Sequence, residues 1–284
     1  MRYGTLIQNH NKADNNVSSN LSRKPLSRQR LSGQYRSRKI LGIDFFAGTA
    51  EQSVSQMQEQ GGLLVVPAAP ALKDLPTHRA YREAVLDADL VIADSALMVM
   101  VWNFLKRDRL RKLSGLEYLR AMLARPETQL PGQCFWIMAS RESAEQNLAW
   151  LRAQGIEIPD SHVYLAPKYG SEIADAELLK RLEATRPRNI VVTVGGGTQE
   201  RLGLYLKRNL AYRPAIHCIG AAIAFLSGDQ VGIPVWADKL GLGWLFRCLS
   251  SPGRYVPRYW SARKLVPMMV RYGDQLPPLL DKSA

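Results

Sequence analysis

Three stretches of the chain carry residues whose types and spacing could do chemistry. The first is Gly195-Gly196-Gly197, followed by Thr198-Gln199-Glu200. A glycine turn at the start of a helix lets backbone N–H groups approach an anion closely, and the helix dipole favours negative charge there. The same turn could be a tight strand-to-helix connection that holds nothing. The second stretch is Asp94-Ser95, placed after the apolar run DLVIA at 89–93. A carboxylate at the C-terminal tip of a buried strand lies where open α/β sheets place their ligands. Asp94 could instead be the N-cap of the helix that follows. The third stretch is C-terminal, where Trp244, Phe246, Tyr255, Tyr259 and Trp260 interleave with Arg247, Arg254, Arg258, Arg263, Lys264 and Arg271. Arginine offers forked donors to phosphate, and Trp and Tyr favour the wet-apolar boundary of a bilayer. A packed subdomain with its arginines in solvent is the alternative.

Positioning these residues requires strands and helices in alternation. Ile190 to Val194 is a β-branched run of the kind buried on both faces of a sheet. Helical spacing follows from Thr198, with Leu202, Tyr205, Leu206 and Leu210 on one face, Thr198 as N-cap and Glu200 in the first turn. Upstream, KILGIDFF at 39–46 reads as the first strand, and 62–66, 89–93, 135–138, 163–166 and 215–219 as others. Helical segments fall between them at 51–60, 78–87, 97–105, 114–124, 143–154 and 172–185, with Ser114 and Glu117 spaced as a capping box. The alternation predicts an α/β fold: a Rossmann-like parallel sheet with helices on both faces, plus a basic C-terminal appendage. Three regions are expected: a disordered basic tail over 1–38, the α/β domain over 39–238, and the appendage over 239–284.

Charge supports that division. The net charge is +13, but residues 1–39 hold nine Lys and Arg against Asp14, and residues 239–284 hold eight against Asp274 and Asp281, which leaves the middle nearly neutral. Basic ends suit an anionic partner, a membrane surface or a nucleic acid. No RNP-like or zinc-finger pattern accompanies the charge, so a nucleic-acid partner is not expected. There is no apolar run of roughly 18 residues, so no transmembrane helix is expected, and no secretory signal is read at the N-terminus. Cys134, Cys218 and Cys248 are widely spaced in apolar surroundings, which predicts buried thiols in a reduced, cytoplasmic protein. His10, His78, His162 and His217 form no ligand spacing with each other or with the cysteines, so no metal site is expected. The GGG turn is not G-x-G-x-x-G, which argues against a dinucleotide-dependent dehydrogenase.

Six segments, taken in order over about residues 39–260, resemble the WecG/TagA/CpsF family of bacterial glycosyltransferases. They are LGIDFF; ADLVIADS, which contains Asp94; KLSGLEYL at 112–119; GGGTQE at 195–200; GAAIAFLSG at 220–228; and GLGWLFRCLSSPGRYVPRY at 241–259. The resemblance implies a cytoplasmic enzyme, peripheral on the inner face of the membrane. It would move a sugar from a UDP-sugar to an undecaprenyl-diphosphate-linked saccharide, with inversion and without a metal or other cofactor. It implies that Asp94 is the general base. Gly195, Gly196, Gly197, Thr198, Gln199, Glu200, Lys112, Tyr169 and Gly220 would form the donor site. Arg247, Arg254, Arg258, Trp244 and Tyr259 would meet the diphosphate, the acceptor and an anionic membrane surface.

The chain departs from the family pattern at named positions. A Thr-x-Asn is replaced by Pro67-Ala68-Ala69, an Arg by Lys112, a Gly by Ser95, an acid by Ala224 and a Glu by Gly243. A catalytically weak relative acting as a scaffold in a membrane-bound polysaccharide complex is therefore the second reading. Homo-oligomerisation, the sugar and the acceptor are open.

Overall fold

The computed structural model describes residues 36–229, 237 and 242–280. The expected tail therefore lies almost wholly outside the described residues, as does the side chain of Arg254. KILGIDFF, expected as one strand, is two: β1 (Ser37–Ile40) and β2 (Ile43–Phe46) pair antiparallel, with Ile40 opposite Ile43. Leu41 and Gly42 form the turn at φ 51° and 77°, the left-handed values that suit a two-residue hairpin. Its amides donate to the carbonyls of Gly273 and Asp274, both at 2.9 Å, so the C-terminal segment holds this corner of the sheet.

The other strands are β3 (Gly62–Val65), β4 (Leu90–Ile92), β5 (Cys134–Met138), β6 (Val163–Leu165), β7 (Asn189–Val192) and β8 (Ala215–Cys218). They form one eight-stranded sheet in the order β1-β2-β4-β3-β8-β7-β5-β6, parallel at every pairing except β1 with β2. The helices are α1 (Ala50–Gln60), α2 (Ala69–Leu72), α3 (Arg79–Leu86), α4 (Ala96–Lys106), α5 (Gly115–Leu123), α6 (Pro126–Gln129), α7 (Arg141–Ala153), α8 (Ala176–Thr185), α9 (Thr198–Asn209) and α10 (Ala224–Ser227). The C-terminal region adds α11 (Gly243–Ser250), α12 (Pro252–Ala262) and α13 (Leu265–Tyr272). The fold is α/β, as the alternation predicts. None of the described helices is long and apolar enough to cross a membrane.

Every residue of β3, β4, β5, β7 and β8 is buried, because both faces of the sheet are covered. Side chains alternate between two cores with the period of the pleat. Leu63, Val65, Ile190 and Val192 face one core, and Leu64, Trp136 and Val191 face the other. Leu265 and Met269 of α13 are buried in the first core with Met98 and Trp102 of α4. The end of the C-terminal region is thus packed into the body of the fold. Helix α9 lies unusually close to the sheet: a Cβ on Gly203 would stand 2.5 Å from both Cys218 Sγ and Leu63 Cδ1.

Beneath β8 runs a buried polar chain. The Tyr118 hydroxyl meets His217 Nδ1 at 2.8 Å, and His217 Nε2 meets Asn189 Oδ1 at 3.1 Å, an oxygen that also accepts from Gln58 Nε2 at 2.7 Å. Since Asn189 Oδ1 is an acceptor, Nε2 carries the ring proton and the Tyr118 hydroxyl donates to Nδ1. Burial holds the imidazole down at about 3, so His217 is a neutral structural residue.

Candidate active site

One cavity of about 1360 Å³ spans the C-terminal ends of five neighbouring strands. Ala68 lines it after β3, Asp94 after β4, Ala139 after β5, Gly195 after β7 and Gly220 after β8. This is the edge at which parallel α/β sheets bind ligands, because helix N-termini and loop backbones converge there.

Asp94 is half-buried, two residues past β4. The N-cap of α4 is Ser95, whose hydroxyl accepts the Met98 N–H at 3.1 Å, so α4 does not use Asp94 as its cap. The segment carrying Lys112 lies beside the same strand end, with the Leu113 N–H bonded to Ala93 O at 3.0 Å. Lys112 lines the cavity, and Ser114 next to it caps α5 by accepting the Glu117 N–H at 3.0 Å.

The glycine turn is built differently from the sequence expectation. The N-cap of α9 is Gly197, at φ 90°, and Thr198 is the first helical residue. Only glycine takes that backbone region at no steric cost. Gly197 N–H donates to Glu200 Oε2 at 2.6 Å, and the Thr198 and Gln199 N–H groups donate to Gly195 O at 3.2 and 3.1 Å. Most of the helix N-terminus is therefore satisfied from within, and Gly195 and Gly196 are the turn residues that line the cavity. A Cβ at Gly195 would meet nothing within 4 Å, so internal crowding does not explain its lack of a side chain. Arg201 braces the turn, donating to Gly197 O at 3.0 Å and to Gly170 O and Ser171 O at 2.9 and 2.7 Å.

Gln199 and Glu200 are buried at the cavity wall. The Gln199 side-chain nitrogen donates to Glu200 Oε1 at 3.2 Å, while its own carbonyl oxygen is buried without a partner. Burial pushes the Glu200 carboxyl up; its hydrogen bonds from the helix backbone, Gln199 and Gly197, and the charge of Arg258, oppose that.

The C-terminal helices complete the enclosure. Trp244, Arg247, Tyr255, Arg258, Tyr259 and Trp260 all line the cavity. Arg258 reaches over the glycine turn, its Nη2 lying 3.6 Å from where a Gly196 Cβ would be. Arg247 donates to the Tyr259 hydroxyl at 3.2 Å and sits 4.6 Å from the centre of the Phe225 ring. Its Nε is buried without an acceptor. Tyr259 packs edge-on to Trp244 and stacks on Tyr255. The Tyr259 hydroxyl is pushed up chiefly by burial, with the Asp94 charge adding to this and Arg247 and Arg258 opposing it. The acid, the turn and the arginines therefore share one electrostatic environment.

Not all expected residues meet there. Tyr169 does not line the cavity: its hydroxyl donates to Asp175 Oδ2 at 2.6 Å, in a cluster where Tyr164 donates to the same carboxylate. Asp175 in turn caps α8, so Tyr169 is engaged structurally. Gly197 and Thr198 shape the turn without lining the cavity. The cavity also has a polar lobe that sequence reasoning missed, made by Ser140, Ser143, Asn147, Thr193 and Asp229. There Ser143 Oγ donates to Asp229 Oδ2 at 2.7 Å, and Asn147 Nδ2 donates to Ser143 Oγ at 3.2 Å. Ser140, just past β5, was the available signal, by the same strand-tip rule that singled out Asp94. Among the described residues, no group of three or more His, Cys, Asp or Glu could hold a metal ion.

Comparison with known proteins identifies relatives of the chain. Two Staphylococcus aureus proteins, from strains MRSA252 and MW2, are each 25% identical to the chain. The first aligns over 219 residues, 74% of this chain and 83% of that protein; the second over 221 residues, 75% and 84%. Both are named N-acetylglucosaminyldiphosphoundecaprenol N-acetyl-beta-D-mannosaminyltransferase. The family model described as "Glycosyl transferase WecG/TagA/CpsF family" matches residues 38–277, which takes in the sheet, the cavity and the C-terminal helices. The chain belongs to the WecG/TagA/CpsF family of glycosyl transferases.

Proposed function

We propose that the protein is an inverting glycosyltransferase that moves a sugar from a UDP-sugar to a saccharide carried on undecaprenyl diphosphate, in the synthesis of an exopolysaccharide, capsule or cell-wall polymer. The relatives' names supply the acceptor class. One observation carries the assignment. A single cavity holds the Asp94 carboxylate, the Gly195-Gly196 turn and the arginines Arg247 and Arg258, with the buried Arg247 Nε–H and the Gln199 side-chain oxygen both lacking partners. Buried polar atoms are rarely left unpaired in a protein, so the guanidinium N–H is suited to an anionic group of a ligand and the Gln199 side-chain oxygen to an N–H or O–H of one.

In the proposed reaction the acceptor hydroxyl oxygen attacks the anomeric carbon, and the bond from that carbon to the UDP oxygen breaks. Asp94 takes the hydroxyl proton as the new bond forms. Negative charge grows on the departing diphosphate, where Arg247, Arg258, Lys112 and the Gly195-Gly196 backbone stabilise it. In this reading the chain's own cations do that work and no metal takes part. The protein acts at the inner face of the cell membrane, held there in part by the basic, aromatic C-terminal helices.

The deciding measurement is UDP release from a panel of UDP-sugars in the presence of undecaprenyl-diphosphate-linked glycans. Asp94→Asn should lower turnover about 10²- to 10⁴-fold, the usual contribution of a general base, while UDP binding by calorimetry stays close to wild type. Turnover retained in Asp94→Asn removes Asp94 as the base. One observation favours a scaffold instead: Ala69 and Ala224 give the cavity apolar wall where the family pattern carries polar residues. UDP binding with no turnover on any donor and acceptor pair would select that reading.

A further inference from the structure

Helix α4 is apolar on two faces. Met98, Val99 and Trp102 are buried, yet Met100 and Phe104, one turn apart on the other side, are 64% and 84% exposed, with Leu105 at 40% beside them. A helix apolar all round is normally buried, and no described residue covers this outward face. Across the cavity, Val256 and Trp260 are one turn apart on α12 and are 48% and 67% exposed. Met100, Val256 and Trp260 also line the cavity, so two apolar stripes flank its mouth.

Cations flank both stripes. Lys106 and Arg107, at the C-terminal end of α4, line a shallow pocket of about 410 Å³ with Arg38, Lys39, Asp108 and Asp274. Asp108 is already engaged by Arg38 and by Trp102 Nε1, which donates at 3.0 Å. Its carboxyl is held down at about 2, chiefly by the Arg38 hydrogen bond. Arg38 is thus committed to Asp108, and Lys39 lies 3.9 Å from Asp44, while Lys106 and Arg107 are exposed at the end of α4. On the other stripe, Arg263 stacks over Trp260 with its guanidinium 4.2 Å from the ring centre. Exposed Phe, Met and Trp bordered by Lys and Arg match a bilayer interface with anionic headgroups, where apolar insertion and charge attraction act together.

We infer that α4, through Phe104, Leu105 and the cations Lys106 and Arg107, docks on an anionic lipid bilayer, so that the cavity opens at the lipid surface between two membrane-facing helices. The consequence for catalysis rests on the proposed function, since it needs a lipid-linked acceptor; the docking itself does not.

The test uses the full chain and vesicles of phosphatidylcholine, with or without phosphatidylglycerol, read by co-sedimentation. Phe104→Ser with Leu105→Ser should lower partitioning onto the mixed vesicles about tenfold, as expected for losing the insertion of one or two side chains. Lys106→Ala with Arg107→Ala should lower it about 25-fold on the mixed vesicles, at roughly fivefold per cation, and hardly at all on phosphatidylcholine alone. These side chains are exposed, so thermal unfolding should match wild type. UDP release with a detergent-dispersed, short-chain acceptor should be unchanged in Phe104→Ser with Leu105→Ser, while release with the acceptor in vesicles falls. If no preparation releases UDP, the proposed function fails and the sedimentation result still stands. Wild-type partitioning by both double variants overturns the docking inference. So does a shift from dimer to monomer without a change in vesicle binding, which would assign the face to a second copy of the chain.

Discussion

His217 offers a prediction whose size can be worked from the structure. The imidazole is fully buried between Tyr118 and Asn189, and burial lowers its pKa from 6.5 to about 3. In the unfolded chain the same ring titrates at its ordinary value, so between the two values the unfolded state holds a proton that the folded state refuses. The stabilisation is complete above the unfolded pKa and is lost as pH falls towards the folded one. The slope is about 1.4 kcal/mol per pH unit, so acidification from about pH 7 to about pH 4.5 costs about 2.5 kcal/mol through this one residue. Wild type alone does not isolate the effect, because Glu200 acts in the opposite sense. Its carboxyl is raised by burial, so the folded state binds the extra proton and stability falls as pH rises above the usual carboxylate range. A difference measurement separates them. His217→Gln keeps an amide that can donate towards Asn189 and accept from Tyr118, but cannot titrate. Urea unfolding of both proteins across that range should show the variant less stable at neutral pH, with the gap closing by about 2.5 kcal/mol at the acid end. A gap that stays constant with pH would mean that His217 is not held neutral, and the assigned proton positions would be wrong.

Other perturbations probe the site and its support. Arg258→Ala should weaken UDP binding by roughly ten- to a hundredfold in calorimetry, the loss expected for a charge-assisted hydrogen bond; unchanged affinity would place Arg258 outside the anion site. Gly203→Val should destabilise the fold by about 1–3 kcal/mol in urea, since the added atoms overpack Cys218 and Leu63 beneath α9. An equal or higher unfolding midpoint would show that α9 can lift from the sheet without cost.

The parts legible in the sequence were those written as periodicity. The β-branched run at 190–194 has the pattern of a strand buried on both faces, and β7 runs from Asn189 to Val192 there; the apolar face of α9 followed from helical spacing. The first hairpin was not legible, because Ile40 to Ile43 carries no polar residue and the turn at Leu41-Gly42 leaves no polar mark. The N-cap of α9 was misplaced by one residue, because Thr198 is the better capping side chain, whereas Gly197 was selected by its positive φ and by the Glu200 carboxylate reaching back to its N–H. Tyr169 was misassigned because its partner, Asp175, is fixed by how the 163–175 segment folds back on itself. The polar lobe of Ser140, Ser143 and Asp229 escaped notice because small polar residues at strand ends usually do no more than cap helices. Ser140 does that too, accepting the Ser143 N–H at 3.2 Å.

The uneven charge of the sequence takes on a meaning once the cavity is seen. The α/β body is nearly neutral, and of the cations lining the cavity it supplies Lys112; Arg247 and Arg258 come from the C-terminal helices. The region is held by packing at its end: Ala262 of α12 and Leu265 and Met269 of α13 are buried in the core with α4, and the carbonyls of Gly273 and Asp274 accept from the first hairpin. Removing the C-terminal region would therefore cost twice, by exposing core surface and by stripping an anionic ligand of most of its counter-charge. On the proposed reading, affinity for a diphosphate and stability of the fold are coupled through the same C-terminal region. Any anion that bridges Arg247 and Arg258 should in turn hold them down, raising the unfolding midpoint with ligand concentration as mass action requires. UDP that binds without raising that midpoint would mean that the arginines do not hold it.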